Sequence, residues 1–189
     1  MRSEIFKGAV NFHNCALYLL LGLFYFLHGC AYSIYDDKRL LDTMADDKLM
    51  ATSIKTALMK QDFGEGFSVS VYCFYGNVFL VGESPQKFQA KAVEIAKSYH
   101  PRSVTPHWFT TRKGDRTNIG LAAELRASLI TTKGLSSTRI ETEVNGDRVV
   151  LLGVVHDDAE KQLAIRTARK VKGVASVTSY LLLPPKTRR

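Results

Sequence analysis

The sequence predicts an α+β protein of two tandem αββαβ units, each with two helices packed on a three-stranded mixed sheet. Three observations carry this reading. The run Val78-Phe79-Leu80-Val81-Gly82 returns 71 residues later as Val149-Val150-Leu151-Leu152-Gly153. The same offset takes Ile54 to Leu125, Leu58 to Leu129 and Val69 to Ile140. The order of helical and alternating apolar patterns is also the same in both copies. A constant offset across a helix and two strands implies a duplicated unit.

Each unit begins with a helix. Met50, Ile54 and Leu58 form one stripe in the first copy, and Leu121, Leu125 and Leu129 form one in the second. Asp46 and Asp115 are expected as N-terminal caps or first-turn carboxylates. A hairpin follows. In the first copy Ser68–Tyr75 and Val78–Glu83 flank Gly76-Asn77. In the second, Thr138–Val144 and Val149–Val155 flank Asn145-Gly146-Asp147, a strong turn signal. A second helix is expected from about Pro85 to Tyr99 and from about Asp157 to Lys172. Pro85 suits a first turn and Gly173 a helix stop. Ser103–Thr111 and Ala175–Leu183 close the units as strands. Strand order stays open, with a right-handed β-α-β crossover expected.

Composition fits a folded chain. Of 189 residues, 46% are hydrophobic and 23% charged, which excludes disorder and collagen-like polymers. The net charge of +8 favours anionic partners: nucleic acid, anionic lipid or acidic glycans. That charge is unevenly placed. Residues 31–111 hold nine basic and nine acidic residues, whereas 112–189 hold fifteen and eight.

The start of the chain bears on compartment. Arg2 and Lys7 precede the apolar run Cys15–Leu27, which is too short to cross a bilayer and is expected to be a secretory signal. The run ends Leu27-His28-Gly29-Cys30. This resembles a bacterial lipobox, with His28 where the pattern has a small residue. The resemblance implies cleavage after Gly29 and acylation of Cys30, and Ala31 implies sorting to the outer membrane. Two or three acyl chains, at about 0.8 kcal/mol per buried methylene, anchor stably. Export would remove nucleic acid from the partners. The expected divisions are a signal peptide at 1–29, a tether at 30–45, units at 46–111 and 112–183, and a basic tail at 184–189. With Cys15 in the signal and Cys30 acylated, Cys73 remains. It is expected as a small core residue beside Val69 and Val71.

Tandem αββαβ units behind a lipobox, each with a strand ending Leu-(Val/Leu)-Gly, resemble the dual BON-domain envelope lipoproteins. Val171-Lys172-Gly173-Val174 also fits, and Tyr99-His100-Pro101-Arg102 departs at the matching place. The resemblance covers roughly residues 36–183. It implies phospholipid-surface binding, a role in envelope integrity and no catalytic chemistry.

The candidate site is the second helix of the second unit. Leu163, Ala164, Thr167, Ala168 and Val171 fall on one arc. Lys161, Arg166, Arg169, Lys170 and Lys172 fall opposite, with Ile165 among them. Cations facing lipid phosphates around one aliphatic residue suit an anionic phospholipid membrane, with Ile165 inserting. A solvated helix face and an acidic protein partner are the alternatives. At the level of function, the alternative is an adaptor for another envelope protein, tethered by lipid.

Other features have ordinary readings. Ala123, Ala127 and Ile130 lie away from the Leu stripe and are expected to dock on the other copy. Tyr72, Phe74 and Trp108 suggest a covered second sheet face, by the other repeat or by a ligand. His156-Asp157-Asp158 is read as a helix cap rather than a metal site. Glu141 and Glu143 share a strand face, and no pocket can be assigned to them. HExxH, GxSxG, Walker and GxGxxG motifs are absent from the sequence. An enzyme, a cofactor and a metal are therefore not expected.

Overall fold

The computed structural model describes residues 41–110 and 119–185, which belong to one compact unit. The expected signal peptide, Cys30, the tether up to residue 40, Asp115 and residues 186–189 lie outside the described residues.

The first repeat opens with α1 (Leu41–Gln61). Residues 41–45 are therefore helix rather than tether, and Asp46 is an exposed mid-helix residue rather than a cap. Ala51, Ile54 and Leu58 bury one stripe, and Asp47 is buried with them. A short helix, α2 (Phe63–Ser68), follows where none was expected, capped by Asp62 accepting from the Glu65 amide at 3.0 Å. Strands β1 (Val69–Phe74) and β2 (Asn77–Gly82) pair antiparallel. Helix α3 (Gln86–Lys97) leads to β3 (Ser103–Trp108), parallel to β2.

The second repeat has the same plan: α4 (Ile119–Thr131), a 3-10 turn at Ser137–Arg139, β4 (Ile140–Asn145), β5 (Arg148–Val154), α5 (Asp158–Lys170) and β6 (Ser176–Leu182). Each sheet is ordered first-second-third, with the second strand central. Asp157 caps α5, accepting from the Glu160 amide at 2.8 Å, as a helix-start reading of His156-Asp157-Asp158 requires.

The first hairpin turns one residue earlier than expected. Tyr75 and Gly76 occupy the turn with φ of +54° and +74°. The buried carboxylate of Asp47 accepts from both their amides at 2.8 Å, fixing the turn from the helix. Cys73 is a buried core residue whose thiol lies 3.3 Å from Asp47 Oδ1. Where the second repeat ends its helix with Gly173 in the left-handed region, the first uses His100, φ +53°.

The repeated glycine has a steric cause. A Cβ on Gly153 would sit 2.0 Å from the Arg139 carbonyl oxygen, and one on Gly82 would sit 2.5 Å from the Ser68 carbonyl oxygen. Ser68 and Arg139 are themselves 71 residues apart, so both units thread the same backbone past the end of the central strand. A first-helix cation supports the next residue in each unit. Lys55 Nζ donates to the Val69 carbonyl at 2.6 Å, and Arg126 Nη1 to the Ile140 carbonyl at 2.6 Å.

The units differ where the second helix meets this crossing. In the second, buried Arg139 and Glu160 form an ion pair at 2.9 Å. Glu160 also accepts from the Ser136 and His156 amides at 2.9 and 2.6 Å. The first has the uncharged Ser68 and Gln89 there. Ser68 Oγ donates to the Glu83 carbonyl at 3.0 Å, and Gln89 to the Ser84 carbonyl at 2.7 Å.

Gly153 also has φ +132°, so Gly153→Ala meets both a clash and backbone strain. It should cost roughly 3 kcal/mol or more, and Gly82→Ala about 1–2 kcal/mol. Urea unfolding of the two variants measures the order, and equal losses would contradict it.

Candidate functional site

Each sheet is covered by its helices on one face only. The other faces meet. Phe74, Phe79, Val81 and Phe109 from the first unit and Val150, Leu152 and Val154 from the second form one buried cluster, edged by Tyr72, Tyr75, Tyr180 and Leu182. The aromatics of β1 thus cover a seam between the repeats, not a ligand groove. Trp108 is a correction: it packs against the first helical core, and its neighbour Phe109 enters the seam. Strand alternation gives the reason, since Trp108 pairs with Gly82 on the same face as Leu80.

Polar groups edge the seam. Tyr72 Oη donates to Glu143 Oε1 at 2.6 Å. Burial, then the Glu143 charge, pushes the Tyr72 phenol far above its usual range, so it remains a donor. His107 Nδ1 lies 3.1 Å from Tyr180 Oη, with its ring edge-on to Phe109 and Tyr180. Arg148 stands 5.4 Å over the Phe109 ring and donates to the Thr110 carbonyl at 3.0 Å.

The seam uses the inner sheet faces, so the outward surface of the second unit is its helical layer. On α5, Ala164 and Ala168 are buried, with Val171 just beyond its end. Leu163 and Thr167 are half-buried, as the predicted arc requires. Arg166, Arg169, Lys170 and Lys172 are exposed, and Lys161 is half-buried. None of these five forms an ion pair among the described residues. Arg169 and Lys170 lie in the last turn, where the helix dipole also favours cations.

Ile165 departs from expectation. It is half-buried and packs against the second core, because the core extends further round α5 than the 100° projection suggests. The exposed aliphatic residues lie on α4. Ile119 and Ile130 are 78% and 59% exposed, and Ala123 and Ala127 beside them are also exposed. This face therefore does not dock on the other repeat, whose contact is already made by the sheets.

The first unit presents a different surface. Its α3 carries the exposed Lys91–Glu94 pair at 3.0 Å, so carboxylate interrupts the basic face. On α2, Phe63 and Phe67 are 69% and 68% exposed, with ring centroids 6.3 Å apart and Lys55 Nζ 5.5 Å from the Phe67 centroid. Sequence reasoning missed this pair. Its signal was the Phe-x-x-x-Phe spacing, one helical turn apart. An open groove of about 590 Å³ beside it is lined by Asp62, Glu65, Lys87, Lys91 and Glu94. Among the described residues no cluster of three or more His, Cys, Asp or Glu could hold a metal, and no helix is long and apolar enough to cross a membrane.

The BON domain family matches residues 120–185, the second unit. Apart from the short helix α2, the first unit repeats its element order, and its strand order and pairing are the same. No curated protein matches the chain. Among solved structures, the C-terminal domain of CdsD, a structural protein of the type III secretion system of Chlamydia trachomatis, is 14% identical, with a TM-score of 0.32. That alignment covers 74% of this chain and 67% of the other. A second CdsD structure is 13% identical over 75% of this chain and 65% of that one, again with a TM-score of 0.32.

Burial, then the Arg148 guanidinium, holds the His107 pKa below the ordinary histidine value. The native state therefore binds this proton less readily than the unfolded chain. The stability His107 contributes is complete above about pH 6.5 and is lost as pH falls below it. Between pH 7 and 5 the wild type should lose urea resistance more steeply than His107→Gln. Parallel slopes would show that His107 is not responsible.

Proposed function

We propose that the chain is an envelope lipoprotein anchored through Cys30 in the outer membrane and facing the periplasm. Its second unit binds anionic phospholipid, and the protein supports envelope integrity by binding rather than by catalysis. The observation that carries the binding step is the set of exposed cations Arg166, Arg169, Lys170 and Lys172 in the BON-matching unit, none of them ion-paired among the described residues. Each contributes about 1 kcal/mol near an anionic surface. Lys161 adds its charge from the half-buried edge of the same helix. Ile119 and Ile130, on the same helical layer, supply the apolar contact that Ile165 does not. The seam holds this layer outward and leaves it uncovered by the first unit.

A second reading is an adaptor for another envelope protein, with lipid serving as the tether. The exposed Phe63 and Phe67 favour it, because aromatic side chains are frequent anchors at protein interfaces.

Reversing Arg166, Arg169 and Lys170 to Glu together should weaken binding of a 31–189 fragment to phosphatidylglycerol vesicles by at least about 100-fold. Wild-type binding should fall with added salt. Co-sedimentation unchanged by the triple reversal would reject the headgroup surface. The anchor is tested separately by intact mass of the membrane-extracted chain. The expected species begins at Cys30 and carries two or three acyl chains, and an unmodified chain starting at Met1 would rule the anchor out.

A further inference from the structure

The seam joins the repeats through positions that are counterparts of each other. Tyr72 and Glu143 differ by the repeat offset of 71, and they pair with Phe79 and Val150, which differ by the same 71. The last strand is offset by 73. Arg102 and Ala175 donate to the carbonyls of Gly76 and Asp147, which are 71 apart. His107 and Tyr180 are therefore also counterparts, pairing with Val81 and Leu152 on the central strands. Both contacts, at 2.6 and 3.1 Å, thus link a residue to its own equivalent. Equivalent residues can touch only where they lie on the axis relating the two units. The contacts sit on opposite edge strands, so they mark two points on one pseudo-twofold axis through the seam.

A symmetric seam would normally be self-complementary, and any unit could pair with any other. Here the axial positions hold unlike residues. We infer that the axial pairs Tyr72–Glu143 and His107–Tyr180 make each sheet face prefer the other type of unit to a second copy of itself, most strongly on the second unit, where Glu143 would meet Glu143. Two second units would place Glu143 against Glu143 in a half-buried position, without the phenol that satisfies it. Two first units would set Tyr72 against Tyr72 and His107 against His107, contacts that can still hydrogen-bond but lack the stronger phenol–carboxylate bond. The partner that fits the second unit's inner face is a first unit, and the reverse holds.

The cations near the axis follow the same symmetry. Glu143 helps keep Lys55 charged against the burial that lowers its pKa. Lys55 and Arg126 are 71 apart and bind equivalent carbonyls. Arg126 therefore stands to position 72 as Lys55 stands to position 143. A carboxylate moved from one side of the axis to the other still finds a cation.

Reciprocal exchange in the full chain tests this. Tyr72→Glu sets two carboxylates on the axis and should lower Tm by about 6–12 °C. It should also produce association in light scattering as Phe74 and Phe79 lose their cover. Glu143→Tyr should lower Tm as well. The double variant Y72E/E143Y restores one phenol facing one carboxylate. It should be monomeric and recover at least half of the summed Tm loss. If Tyr72→Glu does not fold, the milder H107Y, Y180H and H107Y/Y180H set tests the second axial point in the same way. Losses in the double variants equal to the sum of the singles, or a Tyr72→Glu chain that melts with the wild type, would overturn the inference.

Discussion

The closed seam between the two sheets is the constraint on which the other features depend. Two helices can cover only one face of a three-stranded sheet, so each unit alone would leave an apolar face in water. Phe74, Phe79 and Val81 on one side and Val150, Leu152 and Val154 on the other remove that face by covering each other. Burial of this kind has little direction, so register must come from elsewhere. The polar contacts of Tyr72, His107, Glu143 and Tyr180 supply it, because a hydrogen bond has a length and an angle that an apolar contact lacks.

Duplication explains which features are repeated and which are free to differ. The glycine closing the central strand recurs because a backbone carbonyl passes where its side chain would be. The first-helix cation recurs as Lys55 or Arg126, because the carbonyl opening the next strand needs a donor there. Beside that crossing, Ser68 and Gln89 in one unit are replaced by the Arg139–Glu160 pair in the other. Both sets satisfy the local backbone. In the charged version the penalty for removing one partner is larger, since it leaves a buried charge behind. The surfaces also diverged. One unit carries four exposed cations around its second helix, and the other carries exposed aromatics on a short helix absent from its partner.

The legible parts of this architecture were those with a local period or a repeat. The element order, the buried Leu stripes, the hairpins and the Asp157 cap follow from apolar spacing and turn chemistry. The basic residues of α5 were legible for the same reason, since their arc lies opposite Ala164 and Ala168. Ile165 was misplaced because a projection assigns one angle to each residue, whereas the width of the buried arc depends on what packs against it. Ala123, Ala127 and Ile130 were misassigned because small and apolar residues mark a face that could be covered, not one that is. Asp47 was overlooked because its partners, the amides of Tyr75 and Gly76, are distant in sequence.

The amino-acid order alone thus determined a duplicated αββαβ chain with its excess charge in the second half, because periodicity and composition are carried by near neighbours along the chain. Only the tertiary structure decided which sheet faces meet, that counterpart residues touch across an axis, and that the helical layer of the second unit points outward. Those outcomes depend on how two already formed layers bury their remaining apolar surface. That contest is settled between residues some seventy positions apart, and no local pattern records it.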